Sequence, residues 1–368
     1  MSDPHAAIDR DFDEHLELIR EFLRLPSVSA GDADLRPAAG MVHALVEAAG
    51  GSVEVVEADE RRPMMVAVID GPGPTILRYG MYDTQPPGAG WTVDPFAAVE
   101  RDGRLVARGA ANSKGGLAAS LLCFASAPSP CRQVLLLDGE EELGSPRMEA
   151  FRAEHAGLLA ADWGLDFDLQ EDGRGTGPVV AGCYGLHEIE LRAGGGPDVH
   201  SSLVGRVPAP AVDLARAVTA LTSAVPQANV TWMLAGTPED VSRTVVPGSA
   251  RAGIDLRFPS DGDALLQRAR AAVPAGVEFV LKGTYPAARQ PVDAPPVHAM
   301  AGAMRRHGVT PDVKAQAPWW APYHIFDVPF ASGGAGECGG AHGPDEWCEV
   351  EGLRRLMHVA YDTVAALA

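Results

Sequence analysis

The order in which apolar segments recur constrains this chain more than any other feature. MMVAVID at 64–70, TILRYGMYD at 75–83 and QVLLLD at 133–138 are short, nearly continuous apolar runs. Such runs suit strands buried on both faces of a sheet. Helical patterns lie around them. Phe12, Leu16, Ile19 and Leu23 share one face of a helix over residues 9–25 that Pro26 ends, and SKGGLAASLLCFASA at 113–127 predicts another. This alternation predicts an α/β domain, a sheet covered by helices. From residue 184 the order changes to strand (GLHEIELRA), helix (PAPAVDLARAVTAL), two strands (NVTWML, ARAGIDLRF), helix (DALLQRARAAV) and strand (GVEFVLKG). That is the split βαβ order of a ferredoxin-like α+β unit. After residue 289 the pattern returns to helix, Gly-rich turn and final helix. The expectation is therefore an insertion: residues 1–182 and 289–368 form one domain, and 183–288 a second one set into it.

Length and charge limit what such a chain does. At 368 residues it is long enough for two cores. It has 30 Lys and Arg against 49 Asp and Glu, a net charge of -19, which repels polyanions and excludes nucleic-acid binding. No apolar run reaches the roughly 20 residues of a membrane span. The N-terminal MSDPHAAIDRDFDEH is acidic and lacks the features of a secretory signal, so a cytoplasmic location is expected. The five cysteines are odd in number and include no CxxC pair, which points to free thiols rather than a disulfide framework or zinc ribbon.

Four polar segments end strands or begin helices: YGMYDTQPP at 79–87, RGAANSKGG at 108–116, LLLDGEEELGS at 135–145 and GGAHGPDE at 339–346. Sites in α/β sheets form at the carboxyl ends of strands, so these loops are expected to converge there. Taken alone, Glu140–Glu142 reads as a solvated charged turn; its place between an apolar strand and Gly144 favours a catalytic loop instead.

Together the four segments resemble the aminoacylase, carnosinase, desuccinylase and glutamate carboxypeptidase family of co-catalytic zinc peptidases, family twenty of the metallopeptidases. In that family they read GHYDVQPP, RGASDDKG, EGEEEIGS and AHGPNE. The resemblance implies a zinc-peptidase-like sheet covered by helices, with the inserted unit as a lid and dimerisation domain. It implies Glu141 as general base, with Glu142, Asp168 and His342 at ligand positions and Asp83 as the carboxylate that orients the first ligand histidine. In the inserted unit it implies His200 as the residue reaching into a partner subunit's site and Arg257 as the binder of a substrate carboxylate, hence a homodimer acting on a small molecule.

The chain departs from this pattern where metal would be held. The first ligand histidine is Met81, whose thioether is a poor zinc ligand. The bridging aspartate is Asn112, with one neutral oxygen and no charge. Two readings stand for Met81, core filling and contact with substrate. Tyr184 and Thr244 replace an arginine and an asparagine that contact substrate in relatives. PWWAPYH replaces a Gly- and Thr-containing loop, so Trp320 and Tyr323, with Trp319 and His324, are expected to line a remodelled pocket; packing or a dimer surface is the other reading for Trp319 and Trp320. Cys338, His342 and Cys348 are too irregularly spaced to rebuild a zinc site.

Zinc lowers the pKa of a bound water from about 16 to about 7, so its loss leaves Glu141 to activate water alone. Glu141, Glu142 and Asp168 would then crowd together, which raises the pKa of at least one of them. The leading expectation is a metal-independent or metal-poor enzyme acting on a small amide or amino-acid-like substrate by carboxylate acid/base catalysis, without a cofactor. The reaction is amide hydrolysis, acyl transfer or proton abstraction beside a carbonyl. The alternatives are a metal-dependent amidohydrolase holding one or two zinc ions with an altered ligand set, and a silent binding homologue.

Overall fold

Three parallel strands set the frame of the larger unit in the computed structural model, which describes residues 3–57, 60–203, 205–236 and 244–368. Gly73–Met81 lies between Cys131–Asp138 and Trp163–Phe167, parallel to both, and Met81 is the register partner of Asp138. The carboxyl ends of these strands therefore emerge side by side. The full sheet has eight strands, in the order Ser52–Val56, Met65–Ile69, Cys131–Asp138, Gly73–Met81, Trp163–Phe167, Phe330–Gly333, Thr176–Val180 and Thr310–Lys314. It is mixed: Met65–Ile69 runs antiparallel to Cys131–Asp138, and Phe330–Gly333 runs antiparallel to Thr176–Val180. Every residue of Met65–Ile69 is buried, as its unbroken apolar run requires.

Helix Lys114–Ser126 is apolar all round because it packs between Pro4–Arg24 and Val350–Ala365. Its entry is tight. A Cβ on Gly115 would lie 2.4 Å from the carbonyl oxygen of Ala110, and one on Gly116 would lie 3.1 Å from Asp168 Oδ1. Glycine is needed at both positions for the helix to start this close to its neighbours.

The chain divides into two compact units. The first comprises residues 1–182, 290–315 and 321–368, and the second residues 183–289 and 316–320. In the second, four antiparallel strands take the order Ala228–Ala235, Ser249–Phe258, Gly185–Gly194 and Val277–Tyr285, with helices Pro210–Ala224 and Asp263–Ala272. Ile189, Leu191, Ile254 and Leu256 point to one face and form a core with Leu214 and Leu221 of the first helix. Glu190 and Arg192 alternate with them on the other face and pair at 2.9 Å. This is the ferredoxin-like strand order.

Residues 316–320 depart from the sequence reading, which assigned them to the returning segment. The Gln316 carboxamide donates to the carbonyls of Cys183, Pro259 and Ala288 at 3.1, 2.6 and 3.1 Å. The Trp320 indole donates to the Pro286 carbonyl at 3.2 Å and packs on Tyr285. A carboxamide and an indole N–H held by backbone acceptors tie this stretch to the inserted unit. Among the described residues no helix is long and apolar enough to cross a membrane.

Candidate active site

The loops that follow the three parallel strands carry Asp83, Glu141 with Glu142, and Asp168. Asp83 is fully buried, and its two oxygens accept the backbone N–H groups of Glu141 at 3.1 Å and Glu142 at 3.0 Å. The role implied by resemblance, orienting a ligand imidazole, has no object here because Met81 carries none; Asp83 instead pins the loop that carries Glu141 and Glu142. Asp138 secures the same loop from below, accepting from the Glu140 N–H at 2.8 Å and the Ser145 hydroxyl at 2.6 Å.

Asn112 sits just before the helix that begins at Lys114. Its side-chain nitrogen lies 2.9 Å from Glu142 Oε1 and 2.8 Å from His342 Nε2, while Nε2 and Oε1 are 3.1 Å apart. Its oxygen accepts the Ser113 hydroxyl at 3.0 Å. With His342 neutral, the two amide hydrogens of Asn112 serve the carboxylate and the imidazole. When His342 is protonated, Nε2 donates to Glu142 directly, and the hydrogen bond to that carboxylate raises the imidazole pKa above its ordinary value. Gln85 completes the set, donating to Glu142 Oε2 at 2.8 Å.

A carboxylate-bridged pair of metal ions would lack two of its expected donors here, an imidazole at Met81 and a carboxylate at Asn112. A bridging ligand must turn an acceptor oxygen toward each ion. Asn112 offers one neutral oxygen in place of two, and its nitrogen is the atom turned toward Glu142 and His342. Met81 is buried and offers only sulfur. Of the ligand positions that the resemblance implies, Glu142 and His342 meet at 3.1 Å, and Asp168 lies 3.5 Å from the hydroxyl of Ser113, the neighbour of Asn112. The Asp168 oxygens also accept the Leu169 N–H at 2.8 Å and the Gln170 amide at 3.3 Å.

The carboxyl groups are shifted upward. Burial, then the charges of Glu142, Asp83 and Asp138, push Glu141 well above the usual carboxylate range. Burial and Asp138 do the same for Asp83. Burial, with Asp166, pushes Asp168 up to about 8. All three are shifted toward their protonated forms.

Two residues of the site were not singled out in the sequence. Glu346 is fully buried, accepts the backbone N–H groups of Ala111 at 2.9 Å and Asn112 at 2.8 Å, and pairs with buried Arg108. Arg108 in turn donates to the carbonyl of His342 at 3.2 Å. Together they lock the Asn112 loop to the His342 loop. The signal was present, since both belong to the four polar segments, but nothing in either segment names the other as its partner.

Tyr323 is corrected from pocket lining to packing. It is 2% exposed, and its hydroxyl is shared with Asp166 at 2.6 Å and Ser332 at 2.6 Å. His324 pairs with Glu149 at 2.8 Å. Cys338 donates to the Leu169 carbonyl at 2.9 Å, and burial pushes its thiol up to about 12, which removes it as a nucleophile.

In the second unit His200 is exposed. Its Nδ1 accepts the Ser202 N–H at 3.2 Å and faces the Ser202 hydroxyl at 2.9 Å, so Nε2 carries the proton. Arg257 donates to the Pro318 carbonyl at 3.2 Å and lies 3.7 Å from Asp255. Tyr184 is half-buried, its N–H bonded to the Ala317 carbonyl at 3.0 Å, and Thr244 is exposed, its carbonyl accepting the Ser201 N–H at 2.8 Å.

The architecture is that of a metallopeptidase-type α/β fold. An M20 family metallo-carboxypeptidase from Sulfolobus solfataricus superposes with a TM-score of 0.82 at 22% identity, over 96% of this chain and 99% of that one. The sequence match is to Peptidase family M20/M25/M40, over residues 78–366, and the chain belongs to that family. Among its relatives is the succinyl-diaminopimelate desuccinylase of Sphingopyxis alaskensis, 29% identical over 295 residues, 74% of each chain. That of Gluconacetobacter diazotrophicus is 36% identical over 136 residues, 34% of each chain, so the aligned stretch spans about a third of that relative. The chain is thus an enzyme of the amide-bond-acting peptidase and amidohydrolase class.

Proposed function

We propose that this enzyme hydrolyses the amide bond of a small N-acylated amino acid by proton transfer through Glu141, without a carboxylate-bridged pair of metal ions. The observation that carries the reading is the Asn112 amide, whose nitrogen lies between Glu142 Oε1 and His342 Nε2. A neutral donor there does for the two lone pairs what a cation does elsewhere, and leaves the upward-shifted carboxyl groups as the proton-handling machinery.

Glu141 in its carboxylate form takes a proton from water as the water attacks the acyl carbonyl. It then gives that proton to the departing amine. General acid/base transfer of this kind contributes about 10²–10⁴-fold, most effectively when the group titrates near the working pH. Arg257 would bind a substrate carboxylate through its planar fork, and the Nε2 proton of His200 would face the carbonyl oxygen in a dimer. The desuccinylase relatives favour an acylated, carboxylate-bearing amino acid as substrate. Val230, Trp232 and Met233 are exposed on the edge strand Ala228–Ala235, as pairing of two copies through the inserted unit requires. Cys123, Cys131, Cys338 and Cys348 are thiols outside any disulfide, which suits the reducing cytoplasm.

A second reading is favoured by the approach of Glu142 to His342 at 3.1 Å. These two would hold a single ion, which would supply an activated water. Elemental mass spectrometry of the purified protein, before and after excess zinc, together with hydrolysis of N-succinyl amino acids, separates the readings. The proposal expects turnover that survives chelation and is lost in Glu141→Gln. Turnover that chelator abolishes and zinc restores gives the site to the second reading.

A further inference from the structure

A second constellation lies outside the catalytic loops, where the three stretches of chain that build the larger unit meet. His5 is in the first turn of helix Pro4–Arg24, His307 directly follows helix Pro295–Arg306, and His358 and Asp362 belong to helix Val350–Ala365. His5 Nε2 is 3.1 Å from Asp362 Oδ1, and His307 Nε2 is 3.0 Å from Asp362 Oδ2. One donor atom from each of the three lies within 4.8 Å of the others.

The hydrogen bonds around this cluster fix its tautomers. Asp9 lies 3.0 Å from His358 Nε2, and a carboxylate can only accept, so Nε2 carries the hydrogen. His358 Nδ1 is then a lone pair, 2.8 Å from His5 Nδ1, which must donate. A neutral His5 consequently turns a bare Nε2 toward the Asp362 carboxylate. Two acceptors facing each other at 3.1 Å require a positive charge between them, a proton or a metal ion.

We propose that His5, His307 and Asp362 bind one divalent transition-metal ion of the zinc class. Two imidazole nitrogens and one carboxylate oxygen are the donors such an ion takes, with water as the fourth. Metal–nitrogen bonds near 2 Å put tetrahedral ligands about 3.3 Å apart, so the 3.1 Å between His5 Nε2 and Asp362 Oδ1 needs little adjustment, while His307 Nε2, now 3.0 Å from Oδ2, would turn from that oxygen to the ion. The outer shell is in place. Asp9 through His358 fixes the tautomer of His5, while the Arg306 guanidinium holds Asp362 Oδ2 at 2.8 Å and leaves Oδ1 for the ion. The side chains of His5, His307 and Asp362 are 34%, 20% and 14% exposed, which gives an ion access. Bound there, it would clasp the opening helix, the returning helix and the closing helix of the unit.

Zinc titration by calorimetry, with thermal melts, on the unaltered protein and on His5→Ala, His307→Ala and His342→Ala tests this. The His342→Ala variant separates this site from the catalytic loops. The expected result is one equivalent retained in His342→Ala with a rise in melting temperature. In His5→Ala and His307→Ala, affinity falls at least about tenfold and the rise is lost. Should either of those two not fold, cobalt absorption of the unaltered protein against His358→Ala reads the same ligand shell. Zinc uptake that persists unchanged in the His5 and His307 variants overturns the proposal, as does its absence from both the unaltered protein and His342→Ala.

Discussion

Asn112 aims its side-chain nitrogen at Glu142, 2.9 Å from Oε1, so a neutral donor occupies the position from which a carboxylate would bridge two ions. Glu142 is thereby satisfied within the protein. The Asn112→Asp substitution replaces that hydrogen bond with a second negative charge. Without metal the variant is expected to lose about 2 kcal/mol or more, since hydrogen bonds to charged groups contribute about that much. Zinc is expected to restore the loss, more fully when Met81→His is added. Urea unfolding with and without zinc checks this; equal stability in all conditions contradicts the described contact.

Glu346 and Arg108 form an ion pair whose side chains are 0% and 1% exposed, and Glu346 also accepts two backbone N–H groups of the Asn112 loop. Removing one member of such a pair leaves a buried charge unmatched, at a cost of about 3–5 kcal/mol. Glu346→Gln is expected to destabilise by that order and to lower kcat, because the loop that presents Asn112 loses its anchor. A change under about 1 kcal/mol in denaturant unfolding argues against this role.

Lys114 is buried with its amine 2.7 Å from the Leu25 carbonyl, and burial pulls its ammonium down to about 7 while Glu346 opposes the shift. A lysine whose folded pKa is depressed destabilises the folded state below that pKa, where the buried charge is forced. That penalty is relieved as pH rises from about 7 toward the unfolded value. Relative to Lys114→Met, the unaltered protein should therefore gain stability, on the order of 3 kcal/mol, between about pH 7 and 10. Parallel pH profiles for the two proteins would rule the account out.

Trp232 and Met233 are 44% and 50% exposed on an edge strand, a surface that in isolation invites pairing. If two copies pair through this strand as proposed, the unaltered protein is a dimer in light scattering and Trp232→Glu a monomer, with a lower kcat if His200 acts across the dimer. A variant that stays dimeric places the interface elsewhere.

Much of the fold was legible because its signals are local. Unbroken apolar runs gave Met65–Ile69 and Cys131–Asp138, and alternation of apolar and charged residues gave Gly185–Gly194. The strands Trp163–Phe167 and Phe330–Gly333 escaped notice. They are short and carry Asp166 and Ser332, polar residues made acceptable in the core by the Tyr323 hydroxyl 157 positions away from one and nine from the other. Residues 316–320 escaped for a similar reason, since their attachment rests on backbone carbonyls that every sequence possesses.

The sequence by itself determined which chemical groups are available: Glu141, Glu142, Asp168 and His342 present, an imidazole absent at Met81 and a carboxylate absent at Asn112. Residue types are fixed covalently and need no fold. Only the tertiary structure decided how they are used. It turned the Asn112 nitrogen rather than its oxygen toward Glu142, set Asp83 to hold the backbone of the Glu141 loop, brought Glu142 and His342 together, and drew His5, His307 and Asp362 together. Hydrogen-bond direction and donor convergence depend on distances between segments far apart in the chain, and those distances exist only once the sheet and its helices have packed.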